Sequence, residues 1–269
     1  MATPIIPNPP VALRLLSEPP PSHRTSVEPF KTRAGRRYRL FVAAPVEAPP
    51  PDGFPALYLL DGNAGFDALE AEALAAHPGL AVIGIGYETE AGFDFDARAR
   101  DYTPPASAPD PRHPERVSGE GPLFLSALTG EIVPSVESAL PLDPRRRTLW
   151  GHSYGGLFTL YALARAPRAF AGFSVVSPSL WWDNGAILDD LTRVAPALPP
   201  RAVDLGKPDV TRRSDGSPAD PSGLFDRLEA LLAEMPGLDL SVRSLSATSH
   251  RASLDLSLPG ALAFAAGRR

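Results

Sequence analysis

Short, mainly apolar runs alternate with stretches of helical spacing along most of this chain. Tyr38–Ala44, Ala56–Leu60, Leu80–Ile85, Arg147–Gly151, Ala171–Val176, Ala202–Leu205 and Leu240–Leu245 read as strands. Two of them, Ala56–Leu60 and Leu80–Ile85, are apolar at every position, which suits strands buried on both faces of a parallel sheet. Helical spacing covers Asp67–Ala76, Leu123–Leu140 (with a kink expected at Pro134), Gly155–Ala166, Ile187–Val194, Leu224–Glu234 and Ser253–Ala266, the last interrupted by Pro259-Gly260. Strands and helices in alternation predict an α/β fold with a mostly parallel sheet flanked by helices. No internal repeat or domain boundary interrupts it, so residues 1–269 are expected to form a single domain.

Two segments depart from the pattern. Residues 1–21 are a Pro-rich N-terminal arm, and residues 88–118 are polar, Pro-rich and weakly periodic. A loop of that length inside a domain is commonly functional, so 88–118 is expected near a site.

Candidate chemistry begins at Gly151-His152-Ser153-Tyr154-Gly155, a G-x-S-x-G pattern. It lies between a predicted strand and a predicted helix, the setting a nucleophile elbow requires. The serine there sits on a sharp turn, so the residues two away must be small, and the helix N-terminus behind it favours developing negative charge. A serine nucleophile needs a base. Of the five histidines, His23 lies near the arm, His77 ends a helix, His113 lies in the long loop, and His152 should face away from the Ser153 side chain. His250 remains, after the last predicted strand and before the last helix, where an α/β-hydrolase carries its histidine.

The acid is expected just past Ala202–Leu205. Asp209 is the choice there, with Asp204, Asp215, Asp220 or no acid at all as alternatives. The amide of Tyr154 is one expected oxyanion donor. The amide of Asn63, or of Gly62, in Leu60-Asp61-Gly62-Asn63 is the other.

Composition narrows the chemistry further. The chain has 269 residues, no cysteine, 26 basic and 31 acidic residues and a net charge of −5. Disulfide scaffolds, thiol nucleophiles and cysteine-ligated metals are excluded. The mild acidity gives no basic footprint for nucleic acid or an anionic membrane. No run approaches the roughly 18 apolar residues of a membrane span, and no secretory h-region opens the chain. A cytoplasmic location is therefore expected, or a periplasmic one if a leader preceded this chain. Neither metal nor organic cofactor is implied, and oligomeric state is not readable from the sequence.

Taken together, these residues resemble the putative-esterase (esterase D-like) branch of the α/β-hydrolases, and within it the siderophore-type esterases that open the trilactone of enterobactin and salmochelin. The resemblance rests on Tyr58-Leu59-Leu60-Asp61-Gly62-Asn63-Ala64, Ile85-Gly86-Tyr87-Glu88-Thr89, Arg98-Ala99-Arg100-Asp101-Tyr102-Thr103-Pro104, Trp150-Gly151-His152-Ser153-Tyr154-Gly155-Gly156-Leu157-Phe158 and Ser177-Pro178-Ser179-Leu180-Trp181-Trp182. It implies an α/β-hydrolase fold, an acyl-enzyme on Ser153, His250 as base and a small-molecule ester substrate. It further implies that Arg98 meets anionic substrate oxygens, unless it serves a structural ion pair. Trp181 and Trp182 form either an aromatic wall or a buried pair.

The chain also departs from the family pattern. Arg251 follows the histidine where glycine is common, and Gly206-Lys207-Pro208-Asp209 replaces the usual Gly-x-Glu, which leaves the acid open. Competing expectations are a general carboxylesterase or thioesterase of the S-formylglutathione hydrolase type, and a hydrolase-fold binding protein without activity.

Overall fold

A computed structural model describes residues 8–110, 112–209, 222–246 and 249–267. In chain order its elements are α1 (Arg14–Ser17), β1 (His23–Lys31), β2 (Arg37–Pro45), β3 (Phe54–Leu60), α2 (Gly62–Asp67), α3 (Ala71–Ala75), β4 (Ala81–Gly86), α4 (Phe95–Tyr102), α5 (Gly121–Ala127), α6 (Val133–Ala139), β5 (Leu142–His152), α7 (Tyr154–Arg165), β6 (Gly172–Val176), α8 (Ala186–Val194), β7 (Arg201–Pro208), α9 (Leu224–Glu234), β8 (Leu238–Leu245) and α10 (Ala252–Ala266).

The strands form one eight-stranded sheet in the order β1-β2-β4-β3-β5-β6-β7-β8. β1 pairs antiparallel with β2, and β2 with β4; every other pairing is parallel. Alternate residues of the central strands enter two different cores. Tyr58, Ile83, Leu149 and Phe173 join one, and Leu57, Leu59, Val82 and Trp150 join the other. α7 and α8 cover the first face, while α2, α3 and α10 cover the second. A strand apolar at every position is thus one whose two faces are both covered.

The structure differs from the sequence pattern in several places. β1 escapes the pattern because it is an edge strand exposed along most of its length. Of the helix expected over Asp67–Ala76 only the short α3 forms, and a separate helix, α2, precedes it and ends at Asp67. The kink expected at Pro134 takes the form of a π turn over Leu128–Ile132, which runs directly into α6 with Pro134 in its first turn. α10 runs through Pro259-Gly260 without interruption.

The described part of the arm is docked. The amides of Ala12 and Leu13 both donate to Asp67 Oδ1 at 2.7 Å, Asn8 pairs with the backbone of Phe93, and Leu15 is buried.

The segment 88–118 contains α4. Its buried positions include Arg98 and Asp101, so it carries no apolar stripe. Asp94 caps it, accepting from the Ala97 amide at 2.9 Å. Asp101 accepts from Tyr38 Oη, Arg36 and Arg100. Buried charges that are paired replace the hydrophobic face usual for such a helix.

Candidate active site

Three non-glycine residues with left-handed φ stand just past the C-terminal ends of neighbouring parallel strands. These are Asp61 after β3 (φ 51°), Ser153 after β5 (φ 61°) and Ser177 after β6 (φ 43°). Such conformations cost about 1–3 kcal/mol each and persist only where their surroundings enforce them. The carboxyl end of a parallel sheet is also where α/β folds bind ligands.

Ser153 joins β5 directly to α7. The close approach falls on Gly151 and Gly156. A Cβ on Gly151 would lie 2.2 Å from the Gly155 oxygen, and one on Gly156 would lie 2.8 Å from the Val176 oxygen. A Cβ on Gly155 would meet nothing nearer than 3.5 Å. The two glycines of the G-x-S-x-G pattern are therefore not equivalent. The Ser153 hydroxyl is half-buried and shares a 3.3 Å hydrogen bond with Ser179 Oγ. Ser179 is in turn fixed by its amide, which donates to the Ser153 carbonyl at 3.1 Å.

Asn63 lies in the first turn of α2, and Tyr154 opens α7. First-turn amides have no carbonyl partner within their own helix, so both N–H groups are available to an external acceptor. The Asn63 side chain is fixed by three bonds: Oδ1 accepts from the Tyr87 amide at 2.7 Å, and Nδ2 donates to the carbonyls of Tyr87 and Thr89. Gly62 and Gly86 let α2 approach β4, since a Cβ on either would come within 2.6 Å of the other segment.

Arg98 does not point to a vacant anion site. Its Nε and Nη2 donate to the two Asp61 oxygens at 2.9 and 2.8 Å, both side chains are buried, and the guanidinium lies 5.1 and 5.2 Å from the rings of Phe93 and Tyr154. Tyr102 Oη accepts the Asp61 amide at 2.9 Å. α4 thus clamps the left-handed Asp61 at the entrance to α2. This is the structural ion pair that the sequence left open beside the substrate role.

The tryptophans divide. Trp182 is buried and its indole N–H donates to the Pro104 carbonyl. Trp181 is half-exposed, with the Arg112 guanidinium 3.6 Å from its ring centroid. The loop carrying Arg112 is tied to the elbow, because Tyr154 Oη donates to Asp110 Oδ2 at 2.6 Å and Asp110 Oδ1 accepts the Arg112 amide. That contact holds the Tyr154 phenol well above its ordinary pKa, with burial as the larger cause.

His250 lies on the turn before α10, open to solvent on one side. Desolvation, then the Arg98 and Arg112 cations, push its imidazole down to about 4. It is neutral at neutral pH and able to accept a proton. No hydrogen bond joins it to Ser153 Oγ among the described residues. Its ring packs 4.6 Å from that of His152, whose Nε2 contacts the His250 carbonyl and Ser253 Oγ, each at 3.0 Å. Burial, then His250, hold His152 well below the usual histidine range.

No hydrogen bond joins Asp209 to His250 among the described residues. Asp209 is exposed and accepts from Ser246 Oγ at 3.1 Å. Asp204 is spent on Arg243 and Ser174. Asp215 and Asp220 lie outside the described residues.

Sequence reasoning missed Ser179, the clamping role of Asp61 and Tyr102, and the contact between His152 and His250. Asp61 and Tyr102 lie in stretches that carry the resemblance, but no spacing rule pairs them. Strand alternation set His152 aside because its ring should face away from the Ser153 side chain, and gave no sign that the ring packs on that of His250.

Residues 32–216 match the family described as "Putative esterase". The chain is 40% identical over 168 residues to the apo-salmochelin esterase of Escherichia coli O6:H1, covering 60% of this chain and 52% of that protein. It is 36% identical over 169 residues to the ferri-bacillibactin esterase BesA of Bacillus subtilis, covering 57% of each. The chain spans about half the length of these curated relatives. Among solved structures, that of the enterobactin hydrolase IroE in complex with DFP aligns over 95% of this chain and 100% of that one, at 28% identity and a TM-score of 0.78. The BES protein from Bacillus cereus aligns over 90% and 94%, at 25% identity and a TM-score of 0.76. With its sheet order, its elbow and these matches, the chain has the α/β-hydrolase fold and belongs to the putative esterase family.

Proposed function

We propose that this chain is a serine carboxylic-ester hydrolase that works through an acyl-enzyme, with a siderophore-type ester as its substrate. The observation that carries the proposal is Ser153, a serine held at φ 61° on a strand-to-helix junction that tolerates only glycine two residues before it. In the proposed reaction Ser153 Oγ attacks the ester carbonyl and His250 takes the hydroxyl proton. His250 then delivers that proton to the leaving alcohol, and water, deprotonated by the same imidazole, releases the acid from Ser153. The amides of Asn63 and Tyr154 meet the oxyanion, each at a helix N-terminus. Hydrogen bonds of this kind tighten in the substrate complex, which accommodates a Ser153 hydroxyl resting on Ser179.

The substrate class is supported by the named activities of the relatives and by the wall beside the serine. Trp181 stacked with Arg112, and Phe93 beside Arg251, offer aromatic faces and positive charge to an aryl group bearing phenolate oxygens. The test compares hydrolysis of enterobactin and of p-nitrophenyl butyrate by the wild type and by Ser153→Ala. The expected result is turnover of both by the wild type, faster on the trilactone, and neither by the variant. Faster cleavage of the short ester would favour a general carboxylesterase. Hydrolysis undiminished in the variant would end the proposal.

A further inference from the structure

His152 is buried, adjoins the proposed nucleophile and has no hydrogen bond to it among the described residues. Its contacts all lead to the other side of the site. Nε2 is 3.0 Å from the His250 carbonyl, which can only accept, so Nε2 carries the proton. The same nitrogen is 3.0 Å from Ser253 Oγ, and that hydroxyl donates to the His250 carbonyl at 2.7 Å. Ser253 Oγ also meets Ser177 Oγ at 3.1 Å, linking the group to the strained residue after β6. Above this buried N–H the two imidazole rings lie 4.6 Å apart, tilted by 38°.

We infer that His152 is a positioning residue for His250: its buried Nε2–H on the His250 carbonyl, with one ring packed on the other, fixes where the exposed turn holds its imidazole. The inference rests on the esterase reading for the role of His250. A general base works only within hydrogen-bond reach of its proton, so an imidazole on a solvent-facing turn needs its backbone held. In a Ser-His-acid triad a carboxylate does this through the ring nitrogen. Here the hold acts on the main chain and the ring face, and it originates on β5, the strand that carries Ser153. Nucleophile and base are thereby referenced to one rigid element. The charged and titratable groups facing the pair are Arg98 from α4, Arg112 from the loop before α5 and Arg251 from the turn itself.

The test uses three variants. His152→Phe keeps a ring and removes the N–H. His152→Asn is too short for its amide to reach the carbonyl. His152→Gln places an amide N–H where Nε2 stood. Thermal unfolding first establishes which are folded. For each folded variant, kcat, KM and the pH profile are measured with p-nitrophenyl butyrate, and the His250 imidazole is titrated by 15N NMR. A folded Phe or Asn variant is expected to lose at least about tenfold in kcat with KM within about twofold, and its His250 midpoint is expected to rise as water reaches the ring. His152→Gln is expected to recover most of the kcat. A folded Phe or Asn variant with wild-type kcat and an unmoved midpoint would overturn the inference, as would a Gln variant as impaired as the others. If the wild type hydrolyses no ester, the esterase reading fails, and the NMR midpoint alone still decides whether His152 holds the ring.

Discussion

Ser153 stands on a junction where a single added methyl would strike backbone, and Asp61, which leads into the Asn63 amide, is gripped by a buried guanidinium fork and a tyrosine hydroxyl. His250 stands on an open turn, held from beneath by one histidine and one serine. The first half is over-determined and the second is held at few points. The difference follows the chemistry proposed for each. Charge develops on the oxyanion, and donors that need no reorganisation are worth most there. A base must meet first the serine hydroxyl, then the leaving group, then water, and a lightly held imidazole can serve all three.

Substitutions on the two halves should therefore differ in scale. The largest effect is expected from Arg98→Met, which strands the buried Asp61 carboxylate. Urea unfolding should show a loss of about 3–5 kcal/mol, and Arg98→Lys should recover little because lysine cannot form the fork. A loss below about 1 kcal/mol would mean that the clamp contributes little.

Next come the two glycines. Gly151→Ala should cost about 3 kcal/mol and abolish fluorophosphonate labelling. Gly155→Ala should stay within about 1 kcal/mol, since its new Cβ finds ordinary van der Waals space. Equal costs would contradict the geometry of the elbow.

Effects on the base half should be smaller and show in pH. The acid limb of kcat/KM is expected near 4, well below an ordinary histidine. Arg112→Gln, by removing a cation, should move that limb upward. Because both depressed imidazoles gain protons more readily in the unfolded chain, they should make stability fall as pH drops from about 6.5 toward 4. A limb that stays put in the Arg112 variant would show that Arg112 does not contribute and that desolvation and Arg98 set the base. The smallest effect is expected from Arg251→Ala. It breaks the exposed pair with Asp255, worth about 0.5 kcal/mol, and the contact with the Phe93 ring, worth about 0.5–1 kcal/mol at an exposed site, and should move the thermal midpoint only slightly.

The sequence is legible in the same uneven way. The central parallel strands and α7 show in the pattern because burial on both faces keeps most of their positions apolar, whereas the edge strand β8 is exposed along much of its length. α4 is hidden because its buried positions include an arginine and an aspartate, neutralised mainly by partners distant in sequence. Ser153 is legible because the elbow is local: strand, strained residue and helix follow one another. His250 is legible from its place after the last strand. Asp209 misleads because its distance past β7 says nothing about where its carboxylate turns, and it turns to Ser246. His152 shows the limit most clearly. Strand alternation says only that its ring should leave the serine side chain, and the fold alone shows it packed on His250.

The most direct test of the central claim is rapid-quench mass spectrometry of the wild type during turnover of an ester with a slowly hydrolysed acyl group. A transient mass increase equal to the acyl group, mapped to the peptide bearing Ser153 and absent in Ser153→Ala, is the expected result. Turnover without any adduct, or an adduct on another residue, would contradict it.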